Sequence, residues 1–292
     1  MLSSDEVHLL DRLVLSGLPA AAAGSSSGVR RARQRGAGLE FHEYRHYQPG
    51  DDPRSIDWTV EARLQQLVVR VGRADVHARL HVLVDVSRSM GVGTPPKLLC
   101  ATKLAAALCY VAVERRDVAG VSTFCDAITQ SVPPAAGRLQ TFRVFEMLGA
   151  AAASGRSAVD RALVAYGAAC RGPGMVVVVS DFLEPGSGLE GVQYLLHRGL
   201  TPALVQIVAL EELEPDISNR TMLFDVEDAT ATPVVVDEAA VASYRSRMAE
   251  HTEALRAFCL TRGLPYMRVE STAALTELLS AAERAGVFTA YA

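Results

Sequence analysis

The sequence lacks several features that would narrow its class at once. Its five cysteines are odd in number and include no CxxC pair, so neither a disulfide framework nor a zinc cluster is indicated. No apolar run approaches the ~18 residues that a membrane-spanning helix needs. Asp5, Glu6 and Asp11 occupy the stretch where a signal peptide would carry positive charge. We therefore expect a cytoplasmic protein with reduced thiols and no membrane span.

Excess positive charge and glycine-rich phosphate loops are also missing. The chain has 33 acidic and 29 basic residues, a net charge of -4, whereas nucleic-acid-binding domains are usually basic. It contains neither a GxxxxGKS or GxxxxGKT motif nor a GxGxxG motif after a predicted strand. These absences argue against a nucleic-acid partner and against the chain being a P-loop ATPase.

What is present indicates a folded chain of considerable size. Hydrophobic residues make up 49% of the 292 residues and charged residues 21%, which is enough apolar surface for a sizeable core. The pattern divides the chain into three parts. We predict an N-terminal helix and linker over residues 1–28, a small β-rich module over 29–77, and a larger domain over 78–292.

The larger domain alternates strands with helices. Apolar runs such as Met175 to Val179 are typical of strands that are buried on both faces, and helical segments separate them. A hairpin is predicted to be inserted near 221–237. Alternation of this kind predicts an α/β fold, with a doubly wound, mostly parallel sheet and helices on both faces.

Polar oxygen atoms are concentrated where two predicted strands end. One strand runs into Asp85, followed by Ser87 and Ser89, and another runs into Asp181. If the two strands are neighbours where the strand order reverses, these side chains face one crevice, which Ser157 could also reach. Carboxylates and hydroxyls suit Mg²⁺, with Mn²⁺ or Ca²⁺ also possible. A structural interpretation stays open, because the serines could instead cap turn and helix amides.

These residues carry a resemblance to a known family. The DxSxS pattern with Ser157 and Asp181 looks like the metal-ion-dependent adhesion site of von Willebrand factor A domains. The upstream block resembles the signature of bacterial DUF58 proteins, in which such a block precedes a von Willebrand A-like domain. The block comprises Gly38 to Phe41, Tyr44 to Tyr47, Pro49 to Arg54, Ile56 to Trp58, and Ala62 with Arg63. Two departures are Ser157, where threonine is usual, and the lack of the N-terminal membrane spans that family members often carry.

The resemblance implies a non-enzymatic binding module. In adhesion-type sites a partner carboxylate completes the coordination of the metal ion. Asp85, Ser87 and Ser89 would bind the ion directly, and Ser157 and Asp181 directly or through water. Proteins of this family are typically encoded beside MoxR-type AAA+ ATPases, which implies an adaptor that links such an ATPase to a client during protein maturation or complex assembly.

Two other classes of function stay open. A magnesium-dependent phosphotransfer enzyme could use a strand-end aspartate, but haloacid-dehalogenase-type phosphatases need a second aspartate where this chain has Ser87. A purely structural α/β domain with a vacant metal motif would bind neither metal nor partner through Asp85.

Basic residues supply further candidate contacts. Arg88 lies between the two motif serines and could pair with an incoming carboxylate or with another group of the chain. A glycine-punctuated loop could meet an acidic protein partner or simply be solvated; its arginines are Arg30, Arg31, Arg33 and Arg35.

The signature block itself is predicted to have structural roles. Asp51 and Asp52 lie in a turn, where carboxylates commonly cap backbone amides. Asp52 and Asp57 could pair with Arg54 and Arg63, and Trp58 is expected to pack in a core. The spacing of His42 and His46 would suit a zinc pair only on a helix, and this segment looks extended.

Overall fold

The computed structural model describes most of the chain. Described are residues 13–14, 40–49, 51–73, 78–184, 186, 188–215, 222–224, 231–233, 238–287 and 289–290. They belong to two compact units, one within residues 22–77 and one formed by 78–292 with the N-terminal strand.

The described part of the smaller unit is a β-ribbon with helical turns between its strands. Strands β2 (Glu40–His46) and β3 (Val68–Arg73) pair antiparallel, with an irregularity between Phe41 and Glu43. The connection contains a 3-10 turn over Pro53–Ser55 and helix α1 (Trp58–Leu64). His42 and His46 therefore lie on a strand, as their extended pattern predicts.

The larger unit is built on a six-stranded sheet. Its strands are β4 (Arg79–Asp85), β5 (Val118–Phe124), β6 (Ile128–Ala135), β7 (Met175–Ser180), β8 (Thr201–Val208) and β11 (Tyr266–Glu270). They lie in the order β11-β8-β7-β4-β5-β6, and all neighbours are parallel except β5 and β6, which pair antiparallel. From β4 the next strands in sequence, β5 and β6, lie on one side, whereas β8 and β11 lie on the other side, beyond β7. Strand order therefore reverses between β4 and β7. The predicted doubly wound α/β fold is confirmed.

Helices cover both faces of this sheet. One face carries α2 (Lys97–Glu114), α3 (Arg138–Gly149) and α8 (Leu275–Arg284), and the other carries α4 (Val159–Ala169), α5 (Leu189–His197) and α7 (Glu238–Thr261). Valines of β7 alternate between the two cores: Val177 and Val179 pack on the first face, Val176 and Val178 on the second. This two-residue period explains why central strands read as continuous apolar runs.

Shorter elements complete the unit. Helix α6 (Leu210–Leu213) follows β8, and strands β9 (Met222–Phe224) and β10 (Ala231–Pro233) pair antiparallel near the predicted hairpin. Strand β1 (Leu13–Val14) pairs antiparallel with β12 (Thr289–Ala290). The prediction of an N-terminal helix is therefore wrong at Leu13 and Val14, because these two residues pair with a strand near the other end of the sequence. The rest of the predicted helix lies outside the described residues.

Within the part of the chain that the structure describes, no helix combines the length and apolar character that crossing a bilayer requires.

Candidate functional site

A cluster of buried polar side chains, here called the crevice, lies where the carboxyl ends of β4 and β7 meet. Its members are Asp85, Ser87, Ser157, Ser180 and Asp181. The two strands are parallel neighbours, with Val84 opposite Val179. Asp85 ends β4, Ser180 ends β7, and Asp181 follows directly. Both aspartates are almost completely buried. The register thus brings together two carboxylates that are 96 positions apart in the sequence.

The carboxylate of Asp85 accepts hydrogen bonds from three directions. Its Oδ1 accepts the backbone N–H of Ser87 at 2.8 Å. Its Oδ2 accepts the hydroxyls of Ser180 at 2.7 Å and Ser157 at 3.2 Å. Ser180, which also accepts the N–H of Phe182, was not among the predicted site residues. It closes an apolar run, and only the strand pairing shows that it faces Asp85.

Two loops hold the hydroxyl groups of the crevice. After β4 the chain forms a 3-10 turn over Arg88–Gly91, and the hydroxyls of Ser87 and Ser89 lie 3.0 Å apart. A second loop, ahead of α4, carries Ser157. Two backbone hydrogen bonds join the loops and place Ser157 beside the loop after β4. Arg88 N–H donates to Gly155 O at 3.0 Å, and the N–H of residue 154 donates to the carbonyl of residue 86 at 2.7 Å.

A lysine occupies the other side of the crevice. Lys97, the first residue of α2, has no solvent exposure, and its Nζ lies 2.7 Å from Asp181 Oδ2. The same ammonium contacts the carboxylate of Glu212 on α6. The predicted site contained neither Lys97 nor Glu212. One signal was available, since the chain has only two lysines, Lys97 and Lys103.

Asp181 is held at several atoms. Its Oδ1 accepts the N–H of Leu183 at 3.2 Å, and its backbone carbonyl accepts Gln206 Nε2 at 3.1 Å. Phe182, the next residue, is buried with a left-handed backbone (φ 54°), and its carbonyl lies 2.6 Å from Nε2 of His251 on α7. The strand end is thus fixed from neighbouring elements rather than being an open loop.

Burial and charge set the protonation of the crevice. Burial, followed by repulsion from Asp181, raises the pKa of Asp85 to about 6, against the opposing effect of its hydrogen bonds from Ser87 and Ser180. Burial lowers the pKa of Lys97, but attraction to Asp181 and Glu212 outweighs it, so the pKa of this lysine is raised overall. Lys97 therefore stays charged, and Asp85 is easier to protonate than an ordinary aspartate.

A third carboxyl lies close to the crevice. Glu184 accepts the N–H of Val159 at the start of α4. Its pKa is raised to about 7, first by burial and also by the nearby charges of Asp160 and Asp85. The hydrogen bond from Val159 gives the Glu184 carboxylate a structural role as an acceptor at the start of α4.

The donor set suits a hard metal ion. Among the described residues, no three His, Cys, Asp or Glu side chains are grouped so that they could hold an ion. The predicted ligand set differs from such a group, because it combines only two carboxylates, those of Asp85 and Asp181, with the hydroxyls of three serines. Repulsion between Asp85 and Asp181 at a buried place favours a cation there, and oxygen ligands select Mg²⁺ or similar ions. The residues present fit such an ion, although the ammonium of Lys97 already contacts one carboxylate.

Arg88, four loop arginines and Trp58 were also singled out in the sequence. Arg88 is exposed, and the arginines of the basic loop lie outside the described residues; these are Arg30, Arg31, Arg33 and Arg35. Trp58 is 60% exposed, so its predicted core packing is wrong. Trp58 is the first residue of α1. None of the residues of this short helix is buried, so α1 does not pack an apolar face against a core in which the indole could lie.

The acidic residues of the signature block have structural contacts. Arg45 Nη2 lies 2.8 Å from each carboxylate oxygen of Asp51. Asp52 accepts the N–H of Arg54, and Asp57 caps α1 while accepting the hydroxyl of Tyr44 at 2.9 Å. Capping was predicted for Asp51 and Asp52 but not for Asp57. The contacts with Arg45 and Tyr44 were not predicted either, because they join the turn and α1 to strand β2.

Fold and site together define a doubly wound α/β protein with an oxygen-lined crevice at its switch point. Residues 43–256 match the sequence model of the family described as "Protein of unknown function DUF58". Since this match covers well over half of the chain, the chain belongs to the DUF58 family.

Relatives and solved structures are similar over much of the chain. Uncharacterized protein Rv1480 of Mycobacterium tuberculosis and uncharacterized protein Mb1516 of Mycobacterium bovis are each 29% identical over 227 residues, covering 74% of this chain and 69% of theirs. BatB from Bacteroides thetaiotaomicron has 14% identity and a TM-score of 0.45, over 72% of this chain and 98% of that one. A von Willebrand factor type A protein from Catenulispora acidiphila has 16% identity and a TM-score of 0.36, over 63% and 44%. Such distant structures say nothing about what the chain binds.

Proposed function

We propose that this protein is a non-enzymatic, metal-dependent protein-interaction module. Asp85, Ser87 and Ser89 would hold a Mg²⁺-type ion, with Ser157 and Asp181 contributing directly or through water. The bound ion would supply a positive attachment point for a carboxylate of a protein partner. The observation that carries the proposal is the convergence of two carboxylates and three hydroxyls at the buried ends of two neighbouring parallel strands.

The chemistry of the crevice favours binding over catalysis. A phosphotransfer enzyme would need Asp85 as an exposed nucleophile, yet this carboxylate is fully buried and accepts three hydrogen bonds. The residue two positions later is Ser87, which is a poor proton donor near neutral pH. These features support the interaction module over the enzyme.

The proposed partner is a MoxR-type AAA+ ATPase, with a client protein that offers a carboxylate. This choice rests on membership of the DUF58 family. The proposed compartment is the cytoplasm, which agrees with five free cysteines, four of them buried. Nucleic acid is not a proposed partner, because the chain is acidic overall.

The test compares metal-dependent capture by matched variants. The full chain, Asp85→Ala and Glu146→Ala would be immobilised and exposed to lysate of the native organism and to the purified ATPase. Each would be tested with Mg²⁺, Mn²⁺, Ca²⁺ or a chelator. Glu146 is an exposed carboxylate on α3 and serves as the control for loss of one negative charge.

The proposal expects the ATPase or a client to be retained by the wild type and by Glu146→Ala only when metal is present. Asp85→Ala should lose that retention while remaining folded by circular dichroism; Asp85→Asn, which keeps a polar side chain of the same size, is tested beside it. Equal recovery by all four chains, with or without a chelator, would show that the crevice is not the binding surface.

A further inference from the structure

One buried cation already lies in the crevice. Lys97 is fully buried and contacts both Asp181 and Glu212. The chain has 29 basic residues but only two lysines, so almost every other basic position is arginine. A compact ammonium fits between two carboxylates in a closed space where a planar guanidinium would need more room.

The position of this lysine is unfavourable for its own helix. Lys97 begins α2, an 18-residue helix, and the aligned peptide dipoles place partial positive charge at that end. Burial is a second cost for any charged group. The two carboxylates offset both costs. The charge of Lys97 therefore stabilises the carboxylates of Asp181 and Glu212 and does not stabilise α2.

Lys97 and a divalent ion would draw on the same carboxylate. The Oδ2 of Asp181 contacts the ammonium, and its Oδ1 accepts the N–H of Leu183. Asp181 is also one of the two carboxylates proposed to attract the metal. Any ion in the crevice would thus feel the positive charge of Lys97 across a shared ligand.

We infer that Lys97 is the resident cation of the crevice. It neutralises Asp181 when no metal is bound, so that the fold does not depend on metal, and it weakens the attraction of the crevice for a divalent ion. The second part rests on the proposed metal site, whereas the first part stands without it. Lys97 is thus an affinity-setting residue and not itself a ligand.

Metal titration tests the inference directly. Lys97→Met keeps the length of the side chain and removes its charge, and Lys103→Met on the same helix is the matched control. Removing a positive charge a few Å from the carboxylates should tighten Mg²⁺ binding about tenfold or more in isothermal titration calorimetry of the full chain. Lys103→Met should leave the affinity within about twofold, since Lys103 lies six residues further along α2, about 9 Å away, where a charge is largely screened.

Thermal unfolding supplies a second readout. In chelator, Lys97→Met should unfold at a clearly lower temperature than the wild type, and Mg²⁺ should restore most of the loss. The wild type and Lys103→Met should respond much less to Mg²⁺. If Lys97→Met loses the same stability with and without Mg²⁺, Lys97 is only a structural ion-pair partner, and the inference is wrong.

A triple variant covers the case in which Lys97→Met does not fold in chelator. Lys97→Met/Asp181→Asn/Glu212→Gln removes all three charges of the buried cluster and should fold without metal. If it also unfolds in chelator, charge balance is not the role of Lys97. Because the chain has two lysines, ¹³C-lysine labelling gives two side-chain environments; Mg²⁺ should shift the Lys97 signal and leave Lys103 as an internal reference.

The outcomes separate this inference from the proposed function. Equal Mg²⁺ affinity of wild type and Lys97→Met would overturn the inference and leave the metal site standing. Binding by Lys97→Met alone would support the inference and show that the natural chain does not use metal. No binding by either chain would overturn the metal site and the affinity-setting role together.

Discussion

Individual residues in this protein take their chemistry from where the sheet places them. Asp85 and Asp181 are ordinary aspartates in the sequence, yet one is surrounded by hydroxyl and amide donors and the other by an ammonium group. The surroundings of Asp85 set its protonation, because burial makes its ionised form costly and raises its pKa. Lys97, which lies 2.7 Å from Asp181, has its own pKa raised by the carboxylates beside it.

The first residue-scale prediction concerns pH. A pKa of about 6 for Asp85 in the folded chain, against 3.8 ordinarily, means that the folded state holds this proton more tightly than the unfolded state. The stability that follows is present below about pH 4 and is lost as pH rises through about 6. Asp85→Asn carries no charge, so without metal at pH 7 it should be more stable than the wild type, by on the order of 2 kcal/mol.

Urea unfolding in chelator between pH 4 and pH 8 checks this expectation. The advantage of Asp85→Asn should shrink as pH falls through about 6 towards 4, while Glu146→Gln, at an exposed position, should show no such trend. A pH-independent difference between Asp85→Asn and wild type would show that the charge of Asp85 is not what costs stability.

At the scale of elements, the edge hairpin of β5 and β6 depends on one glycine. A Cβ at Gly120 would lie 2.5 Å from Pro134 N and 2.7 Å from Val132 O, and these backbone atoms cannot move away independently. The strand register shifts at this point, between residues 119 and 121. The close approach of the two backbones therefore requires a residue without a side chain.

Gly120→Ala is accordingly expected to destabilise the fold by about 2 kcal/mol or more, as overpacking against backbone does. Gly149→Ala is the control, because a Cβ there meets nothing within 4 Å and residue 149 ends α3. It should be neutral or stabilising by up to about 1 kcal/mol, since alanine favours helix. Chemical denaturation of both variants decides the matter; similar effects would exclude a steric role for Gly120.

At the scale of the whole molecule, the two units differ in what supports them. The larger unit has apolar cores on both faces of a six-stranded sheet. The described part of the smaller unit has one two-stranded ribbon and a seven-residue helix without buried residues. Isolated two-stranded ribbons are marginal in water.

We therefore expect a chain of residues 78–292 to fold cooperatively and to bind Mg²⁺ with the affinity of the full chain, because every proposed ligand lies within it. Residues 22–77 alone should remain largely unfolded. Circular dichroism and calorimetry of the two fragments test both statements. A larger fragment that unfolds without a cooperative transition would show that residues 1–77, which include strand β1 and the smaller unit, are required for its fold.

Sequence reasoning succeeded for elements whose pattern is local. The four valines of β7 predict a strand that is buried on both faces, and strand ends at Asp85 and Asp181 predict a shared crevice once the strands are neighbours. Helix α3 was not predicted, because its exposed Leu139 and Phe142 obscure the apolar stripe of Val144 and Leu148. Exposed apolar residues on a helix remove the periodic contrast on which such predictions depend.

The sequence by itself determined the family, the alternation of strands and helices, and the oxygen-rich strand ends. Only the tertiary structure decided the charge of the crevice. Asp181 and Glu212 lie 84 and 115 positions after Lys97, and no periodicity links the three residues. They meet because strand order reverses between β4 and β7, which brings the start of α2 and the α6 turn after β8 to the same strand ends. The contacts between these distant charges follow from the strand order, which no local sequence pattern predicts.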